Sequence, residues 1–529
     1  MEIFSFSSTG YEGKIVQVEC DIQPGLPSFT IVGLPDSAVK ESRERVRAAL
    51  GSLGWRFPQK RILINLSPCD VKKMGSGYDF AVAMAILKTS GQIRKCFENE
   101  RWLFCGELGL TGLLRSSRDD LAALLSSQAQ AFHRICIPRE SLERASALNI
   151  TGLPLTGMEN LEDALQPDSA PEGYDSDPGA EPRMVQCRAA SADHIEPELF
   201  SPLLRLKLAV CAAGMHNLLL YGAPGSGKTT AVRYLSRLMP PAPGDLVREQ
   251  MKIHLRNSDA QFGTTEECGN CFREPHHSSS AQGLLGGGRS LGPGEISLAH
   301  GGILLLDEAP EFHRNVLQNL REPMEQGRIR VVRAESSSMY PCVAVYAFTM
   351  NVCPCGNRGR NDALCLCSDR QLHGYWSRLG GAVYDRIELR HYFSSAGEAD
   401  FSRADEILDA LALPRDEQQL AARIRLARDR QLERTGKGYF NGYAGWVDIQ
   451  KPENLSPEGR KVFSEMKKNG ALSSRRALNL LRISLTLRDL APESGKPGIN
   501  SAQYGREVDK SHISMAKTLL EPQAFSEFL

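Results

Sequence analysis

Gly222-Ala223-Pro224-Gly225-Ser226-Gly227-Lys228-Thr229-Thr230 follows directly on the apolar run Asn217-Leu218-Leu219-Leu220-Tyr221. The pattern is G-x-x-x-x-G-K-T at the end of a buried strand, with a helical pattern from Thr230 to Met239 behind it. Glycines let backbone N–H groups close around phosphates, a lysine brings charge to the β- and γ-phosphates, and a threonine hydroxyl serves Mg²⁺. The stretch predicts an α/β domain on a parallel sheet that binds ATP and Mg²⁺. Lys228 and Thr229 are the side chains expected at the phosphates. Further on, Gly302-Ile303-Leu304-Leu305-Leu306-Asp307-Glu308 is an apolar run that suits a strand buried on both faces. Parallel sheets bind ligands at the C-terminal ends of their strands. Asp307 is therefore expected to hold Mg²⁺ with Thr229, and Glu308 to polarise the attacking water. Together the two motifs predict ATP hydrolysis.

Around this centre lie 529 residues, enough for about three domains. Sixty-three Lys and Arg balance sixty-three Asp and Glu, so the whole chain is not a polycation, and any nucleic-acid contact must come from a local patch. No run approaches the roughly 20 apolar residues of a membrane span, and residues 1–13 lack the pattern of a signal peptide. Fourteen cysteines are too sparse for a disulfide scaffold. Most read as reduced thiols, the state usual in the cytoplasm.

Composition divides the chain. Residues 1–165 alternate strand and helix patterns: Ile15–Ile22 and Arg61–Leu66 as strands, Ser37–Leu50 and Tyr78–Ser90 as helices. Residues 166–198 carry five prolines and eight acids against two arginines, which reads as a flexible acidic linker. Residues 199–395 hold the glycine loop, and residues 396–529 read as helical, including Pro457–Asn469 and Ser473–Asp489. There is no internal repeat.

Cys353-Pro354-Cys355-Gly356 and Cys365-Leu366-Cys367 place four thiols within fifteen residues. Four thiolates suit tetrahedral Zn²⁺; reduced thiols in a loop are the other reading. Cys268 and Cys271 form a second pair. From Arg460 to Arg488, eight basic residues face one acid, Glu465. Such a run is either a solvated helix face or a surface for the DNA backbone. His276 and His277 read equally as pore residues, metal ligands or simply polar side chains.

Several motifs carry a family resemblance: Gly25-Leu26-Pro27, Val32-Gly33-Leu34-Pro35-Asp36, Gly106-Glu107-Leu108-Gly109-Leu110-Thr111-Gly112, Pro275-His276-His277-Ser278, and Gly292-Pro293-Gly294-Glu295-Ile296-Ser297-Leu298-Ala299-His300 joined to the Asp307 strand. Along nearly its whole length the chain resembles the Mg-chelatase-like AAA+ ATPases of the ComM/YifB family. The resemblance implies a Lon-protease-like N-terminal domain, an AAA+ core with helix insertions, a C-terminal helical lid and a homo-hexameric ring. It makes Asn351, after the strand Val343–Met350, the residue that orients the water against the γ-phosphate. Arg378 and Arg386 become candidate arginine fingers, and Arg475 the lid arginine that senses the γ-phosphate. Residues 199–209 lack the family's Val-x-Gly-Gln segment, which leaves the adenine contact unassigned. In the N-terminal domain, Gly77 stands where a Lon-type serine would be. Arg115-Ser116-Ser117-Arg118 stands where the lysine would be, so an inactive scaffold is expected.

These readings lead to an ATP-driven ring motor on single-stranded or branched DNA, acting in recombination or natural transformation. A chelatase-type motor that remodels a protein partner, and an ATP-switched Lon-like protease or scaffold, are the alternatives.

Overall fold

The computed structural model describes residues 1–93, 100–150, 152–165, 195–256, 271–288, 291–333, 336–360, 362–394, 401–435, 440–451, 454–468, 473–492 and 507–520. Most of the acidic linker thus lies outside the described residues. Its end does not: Ile195 is buried in the largest hydrophobic cluster.

In the N-terminal domain the alternating segments become a seven-stranded sheet. Its order is Ser28–Val32, Arg61–Ser67, Lys14–Gln23, Glu2–Ser7, Arg101–Phe104, Arg134–Pro138, Leu155–Met158. The last four strands run parallel to one another, whereas Lys14–Gln23 is antiparallel to both its neighbours. The helices Ser37–Ser52 and Asp79–Thr89 cover one face; the second is apolar on all sides and buried from Asp79 to Leu87.

The second sheet has five parallel strands in the order Phe272–Arg273, Ile303–Leu306, Val345–Met350, Leu218–Gly222, Leu389–Phe393. Every residue of the Ile303–Leu306, Val345–Met350 and Leu218–Gly222 strands is buried, as their unbroken apolar sequences require. The two domains share apolar cover. The core helix Gly244–Leu255 puts Val247, Met251 and Leu255 into a cluster with Phe4, Leu121 and Leu124. Beside it, the Tyr11 N–H donates to Ser338 Oγ at 2.8 Å, on the hairpin Arg328–Arg333/Ser336–Pro341.

The lid does not have a core of its own. Helices Phe401–Ala410, Glu417–Thr435 and Ser474–Leu490 pack on helix Pro202–Gly214 at the start of the AAA+ core, and all belong to one cluster. That packing corrects the reading of Arg460–Arg488 as one exposed basic face. Arg482 and Arg488 project inward from Ser474–Leu490; Arg482 meets Glu388 at 3.4 Å and Arg488 meets Asp489 at 2.7 Å. Ser474–Leu490 is buried on every side from Asn479 to Leu490, so Arg482 and Arg488 have no solvent face to occupy and pair with carboxylates inside the core.

Glu388 is 1% and Arg482 8% exposed at the side chain, so removing one charge strands the other. Arg482→Met should destabilise the core by about 3–5 kcal/mol. Arg482→Met combined with Glu388→Met should recover part of that loss. Denaturant midpoints of the two variants check both statements; equal midpoints would contradict them.

Candidate functional site

Strand register assembles the nucleotide site. Leu306 pairs with Phe348, which puts Asp307 level with Thr349; Tyr221 pairs with Met350, which puts Asn351 level with Gly222. Residues far apart in sequence therefore meet at the C-terminal edge of the sheet. The loop after Gly222 turns through Gly225 and Gly227, both at positive φ, into the helix Lys228–Leu238. Space is open at Gly225, where an added Cβ would meet nothing within 4 Å.

Lys228 Nζ donates to the carbonyls of Gly222 at 3.1 Å and Ala223 at 2.7 Å, and lies 3.4 Å from Asn351 Oδ1. Burial lowers its pKa, while Asp307 and Glu308 oppose that shift. The Thr229 hydroxyl donates to Asp307 Oδ1 at 3.1 Å. The pair offers two hard oxygens at the phosphate loop, the donor type that Mg²⁺ takes. Five residues expected from sequence, Lys228, Thr229, Asp307, Glu308 and Asn351, are thus brought together.

Sequence reasoning missed Thr349. Its hydroxyl donates to Asp307 Oδ1 and accepts from the Glu308 N–H at 3.1 Å. The alternation of a strand did not flag it, since every residue of Val345–Met350 is buried. Glu308 is held at φ 53°, a backbone region that L residues seldom occupy. Thr349 and the following turn Ala309–Glu311 fix it there.

The three arginines do not share this edge. Arg378 is closest to it, on helix Asp369–Leu379, 3.4 Å from Glu311. Arg386 lies at the opposite edge: the Asn217 side-chain amide donates to its carbonyl at 2.9 Å, and Asn217 precedes the phosphate-loop strand. Five residues of strand, roughly 16 Å, separate that edge from Gly222. Glu325 there holds both Arg386 and, at 3.1 Å, Arg475 from the lid. Burial alone would raise the Glu325 pKa; Arg386 and Arg475 outweigh it and hold the carboxyl below its usual range. Arg386 and Arg475 therefore converge on each other and away from their own chain's phosphate loop.

The four cysteines form one cluster beside the site. Cys353, Cys355, Cys365 and Cys367 have all Sγ atoms within 4.8 Å of one another. The N–H groups of Arg358 and Asn357 approach Cys353 and Cys355 Sγ at 3.3 and 3.5 Å. The Asn357 N–H and the neighbouring thiols pull Cys355 down to about 7, whereas burial pushes Cys353 up to about 12. Gly356 lies on the phosphate loop itself: a Cβ there would stand 3.0 Å from Pro224 Cγ. Cys268 lies outside the described residues, and Cys271 is buried 3.7 Å from His254 Nε2. His276 and His277 stack at 4.1 Å, with His277 edge-on to Phe312 behind the Glu308 turn.

At the Lon-like position, Gly77 faces the Ser117 hydroxyl, 3.4 Å from where a Cβ would sit. The adjacent Ser76 donates to Glu107 at 2.5 Å. Lys73, the lysine nearest in sequence, is buried with its ammonium on the Pro68 carbonyl. A serine–lysine pair is not formed among the described residues.

Thr349→Val removes the hydroxyl that aligns Asp307 and Glu308 and leaves the phosphate loop intact. ATP turnover should fall about 10–100-fold, the usual effect of losing an outer support of a metal ligand. ATP affinity should change little, and titration of a fluorescent ATP analogue beside steady-state turnover separates the two. A turnover equal to wild type would remove Thr349 from the site.

Comparison with known proteins agrees with the geometry. Residues 203–400 match the description "Magnesium chelatase, subunit ChlI", residues 18–141 "Subunit ChlI of Mg-chelatase", and residues 415–501 "Magnesium chelatase, subunit ChlI C-terminal". YifB of Salmonella typhimurium is 32% identical over 97% of this chain and 98% of its own length. Competence protein ComM of Haemophilus influenzae is 30% identical over 93% of this chain and 94% of its own. Lon protease 2 of Bacillus subtilis shares 23% identity over 159 residues, 28% of this chain and 29% of its own. With a phosphate loop, an Asp-Glu strand end and an asparagine on adjacent parallel strands, the chain belongs to the Mg-chelatase-like AAA+ ATPases of the ComM/YifB family.

Proposed function

We propose that the chain is an ATP-hydrolysing ring motor, a homo-hexamer that moves on single-stranded or branched DNA in recombination or DNA uptake, working in the cytoplasm. The carrying observation is the split of its ATPase residues. Lys228, Thr229, Asp307, Glu308 and Asn351 gather at one edge of the core sheet, whereas Arg386 and Arg475 gather at the other. Head-to-tail packing of identical subunits closes into a ring and sets one such edge against the next subunit's phosphate loop.

Phosphoryl transfer asks the protein for position and charge more than for covalent chemistry. Lys228 draws the β- and γ-phosphates into the loop, and the loop N–H groups surround them. Thr229 and Asp307 would hold Mg²⁺, which would supply positive charge to the phosphate oxygens. Glu308, fixed by Thr349, polarises the water, and Asn351 holds it in line. Arg386 and Arg475, both paired with Glu325 in the single chain, reach the γ-phosphate of a neighbour.

Support for DNA comes from exposed charge. Lys461, Lys467 and Lys468 are exposed on helix Pro457–Lys468, and Arg328, Arg330 and Arg333 are exposed on the hairpin above the N-terminal domain. The printed name of one relative, a competence protein, fits the same reading. No helix among the described residues is long and apolar enough to cross a membrane. Branched DNA should stimulate ATP turnover of wild type, and Glu308→Gln should bind ATP and DNA with turnover abolished. Lys467→Glu with Lys468→Glu should weaken binding to all sequences alike and lower the salt slope by about two. Titrations of labelled DNA at several salt concentrations, with ATP, read this out. If DNA neither binds nor stimulates, and a protein partner does, the chain is a protein-remodelling motor instead.

The cysteine cluster is read as a Zn²⁺ knuckle. A Zn–S bond of about 2.3 Å places tetrahedral sulfurs about 3.8 Å apart; the Cys355–Cys365 and Cys353–Cys365 separations are 3.7 Å and the Cys353–Cys355 separation is 3.3 Å. Protein purified without chelator should contain about one equivalent of zinc. Cys365→Ser with Cys367→Ser should lose it. Four readily alkylated thiols and no zinc would leave a reduced loop.

A further inference from the structure

Helix Ser37–Ser52 and the segment behind it carry charge largely of one sign. From residue 37 to residue 61 seven basic residues stand against two acids, in a chain whose formal charge is zero. Both acids are taken up on the helix itself: Glu41 lies 3.9 Å from Arg45, and Glu44 3.3 Å from Arg43. Lys40, Arg47, Arg56, Lys60 and Arg61 are exposed, and among the described residues none of them pairs with a carboxylate. An ordinary solvated face mixes both signs, whereas an unbalanced patch concentrates anions around it.

Aromatic rings lie within this charge. The segment reads Trp55-Arg56-Phe57-Pro58-Gln59-Lys60, and the strand Arg61–Ser67 follows it. Trp55 and Phe57 pack against the N-terminal core yet are only half-buried, as is Phe29 on the strand Ser28–Val32 at the end of the sheet. The Phe57 and Phe29 rings stand 6.1 Å apart, and the Arg47 guanidinium lies 5.8 Å over the Phe57 ring. Ser28 pairs with Arg61, and its N–H donates to the Lys60 carbonyl at 3.4 Å, so Lys60 and Arg61 stand beside Phe29. The Gln92 side chain holds the Arg56 N–H at 3.0 Å and the Arg56 carbonyl at 2.9 Å, which fixes the backbone between Trp55 and Phe57.

We propose that this surface binds unpaired DNA, with bases stacked on Trp55 and Phe57 and phosphates on Arg47, Arg56 and Lys60. Rings interleaved with cations match a single strand, whose bases offer their faces and whose phosphates follow at every nucleotide. Such stacking tolerates any sequence, because every base has a π-face. In a duplex those faces are occupied by neighbouring base pairs, and the rings gain nothing. Arg47 is already drawn over a ring by cation–π attraction, which holds its charge beside the stacking face. The inference rests on the reading of the chain as a DNA motor and deepens it: the N-terminal domain, which carries no ATP chemistry, holds the unpaired strand that a branched substrate supplies. The surface shares no residue with helix Pro457–Lys468 or with the hairpin that carries Arg328, Arg330 and Arg333.

The test uses the full-length Glu308→Gln variant with ATP as parent, and two probes: a labelled oligothymidylate and a blunt duplex of equal length. Adding Arg47→Ala and Lys60→Ala should weaken single-strand binding about tenfold or more and lower its salt slope by about 1.4, with duplex binding changed less than about twofold. Phe57→Leu keeps an apolar side chain and loses the ring; it should weaken single-strand binding at least about fivefold with the slope unchanged. Phe57→Tyr should bind as the parent does, which shows that the loss in Phe57→Leu is not misfolding. An iodouracil-substituted strand should photo-crosslink to residues 55–60 of the parent. Single-strand binding undiminished in the variants, duplex binding that falls in step with it, or crosslinks confined to other segments overturns this site and leaves the DNA reading standing. A parent that binds neither probe overturns both.

Discussion

Adjacent parallel strands of the core sheet fix the level of everything that meets the phosphates. Leu218–Gly222 lies between Val345–Met350 and Leu389–Phe393, and Val345–Met350 also pairs with Ile303–Leu306. Because pairing in a parallel sheet sets each strand's offset from the next, a slip of one residue would part Asp307 from Thr349 and Asn351 from Lys228 together. The buried side chains on both faces of these strands resist such a slip. Local geometry then needs few devices: two glycines at positive φ for the loop, and one threonine hydroxyl to hold Glu308 in its unusual backbone conformation.

Sequence made some of this legible and hid the rest for physical reasons. The phosphate loop and the Leu-Leu-Leu-Asp-Glu run are local patterns whose chemistry depends on neighbouring residues, and both stand where expected. The meeting of Glu325, Arg386 and Arg475 depends on the placement of three separate elements, so no spacing in the chain announces it. Counting charge between Arg460 and Arg488 misled because charge density says nothing about direction. The run Leu480 to Leu490 is apolar around Arg482 and Arg488, and that context, more than the arginines, decided which way they point. Thr349 was hidden for the opposite reason, being one polar side chain in a strand that is buried throughout.

The N-terminal domain keeps the frame of a protease-like fold while its local chemistry has gone elsewhere. Asp79 takes Arg45 and Ser42 as partners, Ser76 takes Glu107, and Lys73 is committed to a backbone carbonyl. Asp79, Ser76 and Lys73 beside the glycine turn are thus committed to internal partners, which suits a domain that holds position. It is joined to the motor core through apolar cover on helix Gly244–Leu255 and through the hairpin that carries exposed arginines.

The packing of the lid on helix Pro202–Gly214 also bears on how the chain is made. That helix is synthesised well before its cover, Phe401–Ala410 and Ser474–Leu490, which lie about 190 and 260 residues further along the chain. Until then Leu206, Val210 and their neighbours have no partner from the lid, and the contacts that will bury them are among the most distant in the sequence. Long-range closure of this kind is slow and leaves apolar surface exposed on the way. The nascent core is accordingly a stage with apolar surface open to wrong partners, and it closes only once Ser474–Leu490 has been made.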